Sequence, residues 1–102
     1  MYVSVTPFNV QPDKIDEFLS YALDVVVPAI RAAGVGYKGG YILRSDTEIL
    51  SVNFYETEAQ VTALPTDEKA LAILKKLASL GEADFGKRKV YEVAVNAPLT
   101  DT

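Results

Sequence analysis

Ile49-Leu50-Ser51-Val52-Asn53-Phe54-Tyr55-Glu56-Thr57-Glu58-Ala59 is the stretch that decides the fold. Leu50, Val52 and Phe54 alternate with Ser51, Asn53 and Tyr55. A period of two sends the two sets to opposite faces of a strand. One face is apolar throughout. The other carries small polar groups and a phenol, which suits a ligand cavity better than a sealed core. Thr57 with Gln60 three residues on has the spacing of a capping box, so the strand runs straight into a helix.

Upstream, Tyr37 to Leu43 reads as a strand, and Arg44 to Glu48 as the polar turn of an antiparallel hairpin. Gly39-Gly40 inside that strand signals a bulge or the close approach of a backbone or ligand. Before it, Ile15, Phe18, Leu19, Ala22, Val25, Val26, Ala29 and Ile30 fall at helical spacing on one side. Pro12 suits the first helical position, Pro28 bends the helix, and Gly34 and Gly36 end it. Tyr2 to Phe8 is a first strand, with Val3 and Val5 opposite Ser4 and Thr6. Downstream, Pro65 interrupts the second helical region and Thr66 is a plausible cap for its restart. Ala70, Ile73, Leu74, Leu77 and Leu80 form its apolar stripe, and Gly81 stops it. Lys87 to Val95 reads as the last strand, and 96–102 has no periodicity.

The order strand-helix-strand-strand-helix-strand is the split βαβ, or ferredoxin-like, pattern of an α+β protein. It predicts one antiparallel sheet with both helices on one face, in a single domain spanning 1–102. Two helices cover only one sheet face. The other is expected to pair with a second copy, sheet against sheet, as a homodimer.

Composition narrows the chemistry. The 102 residues are 49% apolar, with a net charge of −4, no Cys and no His. Without Cys there are no disulfides, thiol redox chemistry or Cys-based zinc sites. Without His the commonest general base and the usual haem and transition-metal ligand are missing, so neither metal nor cofactor is expected. Basic residues are dispersed except for Lys75-Lys76 and Lys87-Arg88-Lys89, which argues against a nucleic-acid partner. Lys87-Arg88-Lys89 reads as a small anion patch or as the solvated start of a strand. Gly34 to Gly40 runs from helix to strand, the wrong order for a phosphate loop. No apolar run of about eighteen residues predicts a membrane span. Met1-Tyr2-Val3-Ser4 lacks a basic n-region, so the expected location is cytoplasmic.

Two stretches carry a resemblance to a known family. Thr6-Pro7-Phe8-Asn9-Val10-Gln11-Pro12-Asp13 resembles the strand exit into helix one of the antibiotic biosynthesis monooxygenase family, in the dimeric α+β barrel superfamily. Tyr55-Glu56-Thr57-Glu58-Ala59 resembles that family's aromatic–any–Ser/Thr–any–Glu-Ala start of helix two. The resemblance covers roughly residues 2 to 95. It implies a ferredoxin-like subunit pairing as a dimeric α+β barrel, and a monooxygenase acting on a small aromatic or quinol-like ligand. The family often has Trp where Tyr55 stands. Its haem-degrading relatives have Asn where Thr6 stands and supply a His, so the chain's lack of His disfavours haem degradation. What remains is cofactor-free oxygenation, in which a substrate anion reacts with O₂.

Such chemistry asks for a flat apolar pocket, donors for the anion and exclusion of water. The candidate catalytic residues are Tyr55, Asn53 and Thr6. Candidate substrate-binding residues are Phe8, Ser51, Arg44 and Glu92, with Lys38 as an alternative positive charge. Each has a plainer reading. Tyr55 is also an ordinary amphipathic strand-end residue, Asn53 a partner of a neighbouring loop, and Thr6 and Ser51 plain strand residues. Glu92 reads as a buried general base or as an exposed edge residue. A non-catalytic small-molecule-binding or assembly module on the same fold, and a carboxylate-based isomerase or lyase, stand as alternatives.

Overall fold

The computed structural model describes residues 1–34, 36–46, 48–62, 67–95 and 97. Strand β1 (Tyr2–Asn9) leads through a 3₁₀ turn (Pro12–Lys14) into helix α1 (Ile15–Tyr21), a π-helical segment (Ala22–Val26) and helix α2 (Val27–Ala33). Strands β2 (Tyr37–Arg44) and β3 (Ile49–Tyr55) form the hairpin. Helices α3 (Glu58–Val61) and α4 (Glu68–Leu80) follow, then the short strands β4 (Glu82–Ala83) and β5 (Lys89–Glu92). The order is that of an α+β, ferredoxin-like protein. All pairings are antiparallel, in the order β2-β3-β1, with β4 and β5 both on the far edge of β1.

The β1–β3 register sets the faces. Ser4 lies opposite Asn53, Thr6 opposite Ser51, and Val5 opposite Val52. Residues opposite one another share a face, so the small polar side chains of both strands collect on one side and the valines on the other. The polar side meets the helices, where Ser4 and Thr6 are buried. Phe18, Ala22 and Val26 are buried above them, and the Phe8 and Phe18 rings lie 5.2 Å apart. Across the helices, Lys76 Nζ sits 4.9 Å over the Tyr21 ring. The opposite sheet face carries Val3, Val5, Leu50, Val52 and Phe54, flanked by Tyr41, Leu43 and Tyr91. Those last three are each about half exposed, at 52, 48 and 49%.

Three expectations need correction. The first helix is not merely bent at Pro28. Pro28 cannot donate to the carbonyl four residues back, and the helix widens just before it: the Val27 N–H reaches the Ala22 carbonyl, five residues back. The helix after the hairpin is α3, capped at Thr57 as read, with Gln60 Oε1 accepting from Thr57 N at 3.0 Å and Glu56 N at 3.1 Å. Helix α4 is capped by Asp67, whose side chain accepts from Lys69 N at 3.0 Å; Pro65 and Thr66 lie outside the described residues. The last strand is not continuous over 87–95. Phe8 pairs with Ala83 but Val5 pairs with Lys89, a register advance of three residues that is taken up by a 3₁₀ turn at Phe85–Lys87.

That turn also disposes of the basic triplet. Arg88 points inward and its Nη2 donates to the Val61 carbonyl at the end of α3 at 2.8 Å, while Lys87 and Lys89 stay exposed. Lys87-Arg88-Lys89 is therefore no common anion patch.

Phe18→Ala is expected to cost about 3–5 kcal/mol in urea denaturation, because its ring is enclosed between β1 and Gly81. Leu23→Ala, on the same helical stretch but 70% exposed, is expected to cost under about 0.5 kcal/mol. Equal losses would contradict this placement of the core.

Candidate functional site

A cavity of about 340 Å³ lies between the polar sheet face and the helices. Its roof is apolar: Leu19, Leu23, Val26, Val27 and Ile30 from the first helical stretch, and Leu74 and Leu77 from α4. Its floor comes from β1, β2 and β3 through Phe8, Tyr37, Gly40, Ile42, Ser51 and Asn53. The floor is polar because the β1–β3 register turns Ser51 and Asn53 inward. Asn53 Nδ2 donates to Ser51 Oγ at 2.9 Å. That bond holds the amide along the floor and leaves the Ser51 hydroxyl proton and the second amide proton to donate.

Gly40 makes room for this arrangement. A Cβ there would run into the Val52 carbonyl and lie 2.9 Å from Asn53 Oδ1. Gly39, at φ 131°, forms the bulge beside it. The two glycines are thus explained separately, one by close approach and one by backbone conformation.

The bulge has a second effect. Plain alternation would group Tyr37 with Gly39 and Tyr41. The register shift between Tyr37 and Gly39 instead sets Tyr37 opposite Tyr55, on the cavity side. Tyr37 lines the cavity, and its ring stands edge-on to Tyr55 at 6.0 Å and 71°. The Arg31 guanidinium lies 6.0 Å from the Tyr37 ring centroid. Sequence reasoning missed Tyr37, although the Gly39-Gly40 signal for a bulge was the clue that could have found it.

The candidate residues separate into three groups. Asn53, Ser51 and Phe8 meet at the cavity wall. Thr6 is buried beside Ser51, and Tyr55 is partly buried next to Tyr37, but neither lines the cavity. Arg44, Glu92 and Lys38 are not brought to it. Arg44 ends β2 at the hairpin, four residues past Gly40, and is exposed. Glu92 is exposed on β5, opposite Tyr2. Lys38 is paired with Glu56 at 3.4 Å on the surface. A separate hollow of about 370 Å³ near the hairpin is rimmed by the exposed side chains of Asp46, Glu48 and Glu82, and shares only Phe8 with the first.

Electrostatically the wall is neutral. Among its described lining there is no carboxylate, ammonium or guanidinium, so its polar side-chain groups are an amide, a hydroxyl and two phenols. Burial raises the Tyr37 phenol above its ordinary value, with Arg31 pulling it part of the way back. Burial likewise raises Tyr55, opposed by Arg88 and reinforced slightly by Tyr37. Both phenols therefore stay protonated at neutral pH and act as hydrogen-bond donors rather than bases. Arg88 Nε is buried without a hydrogen-bond partner, the one such side-chain atom among the described residues. No group of His, Cys, Asp and Glu among those residues is arranged to hold a metal ion. No described helix is long and apolar enough to cross a membrane.

No protein-family model matches the chain, and no curated protein matches it. Solved structures do match. A candidate antibiotic biosynthesis monooxygenase from Nitrosomonas europaea superposes with a TM-score of 0.65 at 22% identity, over 93% of this chain and all of the other. SnoaB, a cofactor-independent oxygenase from Streptomyces nogalater, gives 0.68 at 15% identity, over 96% and 97%. The ActVA-Orf6 monooxygenase of Streptomyces coelicolor, solved with Nanaomycin D, gives 0.65 at 21% identity, over 97% and 91%. The chain has the fold of the antibiotic biosynthesis monooxygenases along nearly its whole length, and the resemblance read in its sequence stands at that level.

The raised phenols predict a loss of stability in alkali. Below about pH 10 they are protonated in both states. Above it the unfolded chain ionises first and binds fewer protons, so stability falls as pH rises through the folded values. Tyr37→Phe and Tyr55→Phe should each flatten that fall in denaturation curves. Arg31→Gln should raise the Tyr37 titration further, read by NMR of ring-labelled tyrosine; an unmoved Tyr37 would contradict the assigned cause.

Proposed function

We propose that the protein is a cofactor-independent monooxygenase for a small aromatic or quinol-like compound, working as a homodimer. The observation that carries this reading is the cavity itself: an apolar box of about 340 Å³ whose polar side chains, among the described residues, are neutral donors on one wall. A flat ring system fits between the leucine and valine roof and the sheet. An oxygen of that ring would meet the Asn53 and Ser51 donors. The likeness in fold to SnoaB and to the ActVA-Orf6 monooxygenase supports the same reading.

The chemistry needs little from the protein. A ring methylene acidified by a neighbouring carbonyl loses a proton, and its enolate gives an electron to O₂. Recombination forms a C–O bond as a hydroperoxide. Loss of the second C–H proton and cleavage of the O–O bond then leave a carbonyl and one water. The four electrons that reduce O₂ come from the CH₂ group, so no other reductant is required. With no base on the described wall, the first proton leaves to solvent. The donors at Asn53 and Ser51 favour the enolate, and the apolar roof weakens competition from water. Tyr55 and Thr6 serve from behind the wall, Tyr55 by bracing Tyr37 and Thr6 by supporting Ser51. Arg44 and Glu92 have no part in this mechanism. The exposure of Glu92 leaves the carboxylate-based isomerase reading without support.

The apolar sheet face supports the dimer. Leu50, Val52, Phe54, Tyr41 and Leu43 form a contiguous surface with no charged residue among them. A patch of this kind on a small domain favours a self-complementary interface.

Oxygen uptake with anthrone in metal-free buffer tests the activity. Asn53→Ala is expected to lower kcat about 10²-fold and Ser51→Ala by less. Unchanged turnover in both would remove them from the site. Light scattering at micromolar concentration is expected to give twice the chain mass, and Val52→Lys to give the monomer. A wild-type monomer would overturn the dimer.

A further inference from the structure

Tyr37 stands apart from the residues assigned above. It lines the cavity through the bulge at Gly39, and among the described residues its hydroxyl has no hydrogen-bond partner. Its ring is held on two sides, by Arg31 at 6.0 Å and by the edge-on Tyr55 ring at 6.0 Å. A phenol braced in this way loses little freedom when a ligand arrives, so its hydrogen bond is gained at low entropic cost. The other tyrosine at the wall, Tyr41, is engaged elsewhere, with its ring 6.3 Å from Phe54 on the opposite sheet face. Along the strands, Tyr37 is level with Tyr55, one inward-facing position beyond Asn53 on the side away from Ser51. It therefore extends the row of donors Ser51–Asn53 across to β2.

We propose that the Tyr37 hydroxyl is a ligand-binding group that donates a hydrogen bond to an oxygen atom of the cavity's ligand, with Arg31 and Tyr55 as its positioning residues. This rests on the cavity being the binding site. Burial keeps the phenol protonated, as a donor to an oxygen must be. Tyr37 thus makes the cavity selective for oxygenated rings over bare hydrocarbons of the same shape.

The test compares 1-naphthol with naphthalene, by fluorescence titration of the wild type and Tyr37→Phe. Loss of one hydrogen bond predicts about tenfold weaker 1-naphthol binding, with naphthalene within about twofold of wild type. The ionisation of bound 1-naphthol should also move to higher pH in the variant. Equal changes for the two ligands, or none for 1-naphthol, would overturn the role of Tyr37 while leaving the cavity standing. If the wild type binds neither ligand, the cavity reading falls and this proposal with it. Should Tyr37→Phe not fold, Arg31→Gln takes its place. It removes only the brace and should weaken 1-naphthol selectively, and an unchanged ratio of the two affinities would overturn the proposal.

Discussion

The antiparallel register of β1 against β3, with Ser4 opposite Asn53 and Thr6 opposite Ser51, is the constraint on which the rest of the molecule depends. A slip of one residue would exchange the faces of a strand. Leu50, Val52 and Phe54 would then face the helices and seal them, and Ser51 and Asn53 would face water. The observed register does the reverse. It turns the fully apolar side of the sheet away from the helices and brings the small polar side beneath them.

That choice explains both the cavity and the exposed sheet. Serine and asparagine on a floor do not fill the volume under a leucine and valine roof, and space remains between them. Buried polar groups are tolerated when hydrogen-bonded, and Asn53 and Ser51 meet part of that need in each other. Their remaining donors are the groups we propose to meet a ligand oxygen. Meanwhile the apolar side, left uncovered by helices, calls for a partner surface. In the proposed function, one register thus gives one sheet face to a small molecule and the other to a second subunit. The π-helical widening before Pro28 belongs to the same design, since Leu23, Val26 and Val27 around it form part of the roof.

Much of this was legible in the chain because strand alternation and helical stripes are local patterns. The hairpin, the Thr57 cap, the stop at Gly34 and the two unlike faces of β3 all follow from neighbours in sequence. Which face meets the helices does not, because that depends on pairing with β1 across about fifty residues. Tyr37 was hidden for a related reason. Its orientation is set by a bulge, and the glycine pair announced a bulge without saying which residue it would turn. Arg88 was hidden because the last strand is broken by a turn whose three extra residues leave no periodic trace. Arg44 and Glu92 were selected for charge alone, and their distance from Asn53 along strands and across the sheet keeps them from the cavity.

The central claim is that the helix-facing, polar side of the sheet holds the ligand. Intermolecular NOEs between 1-naphthol and the methyl groups of the isotopically labelled protein test it directly. The account predicts contacts to Val26, Leu74 and Leu77, which roof the cavity. Contacts to Leu43, Leu50 and Val52 in their place would put the ligand on the open face and contradict it.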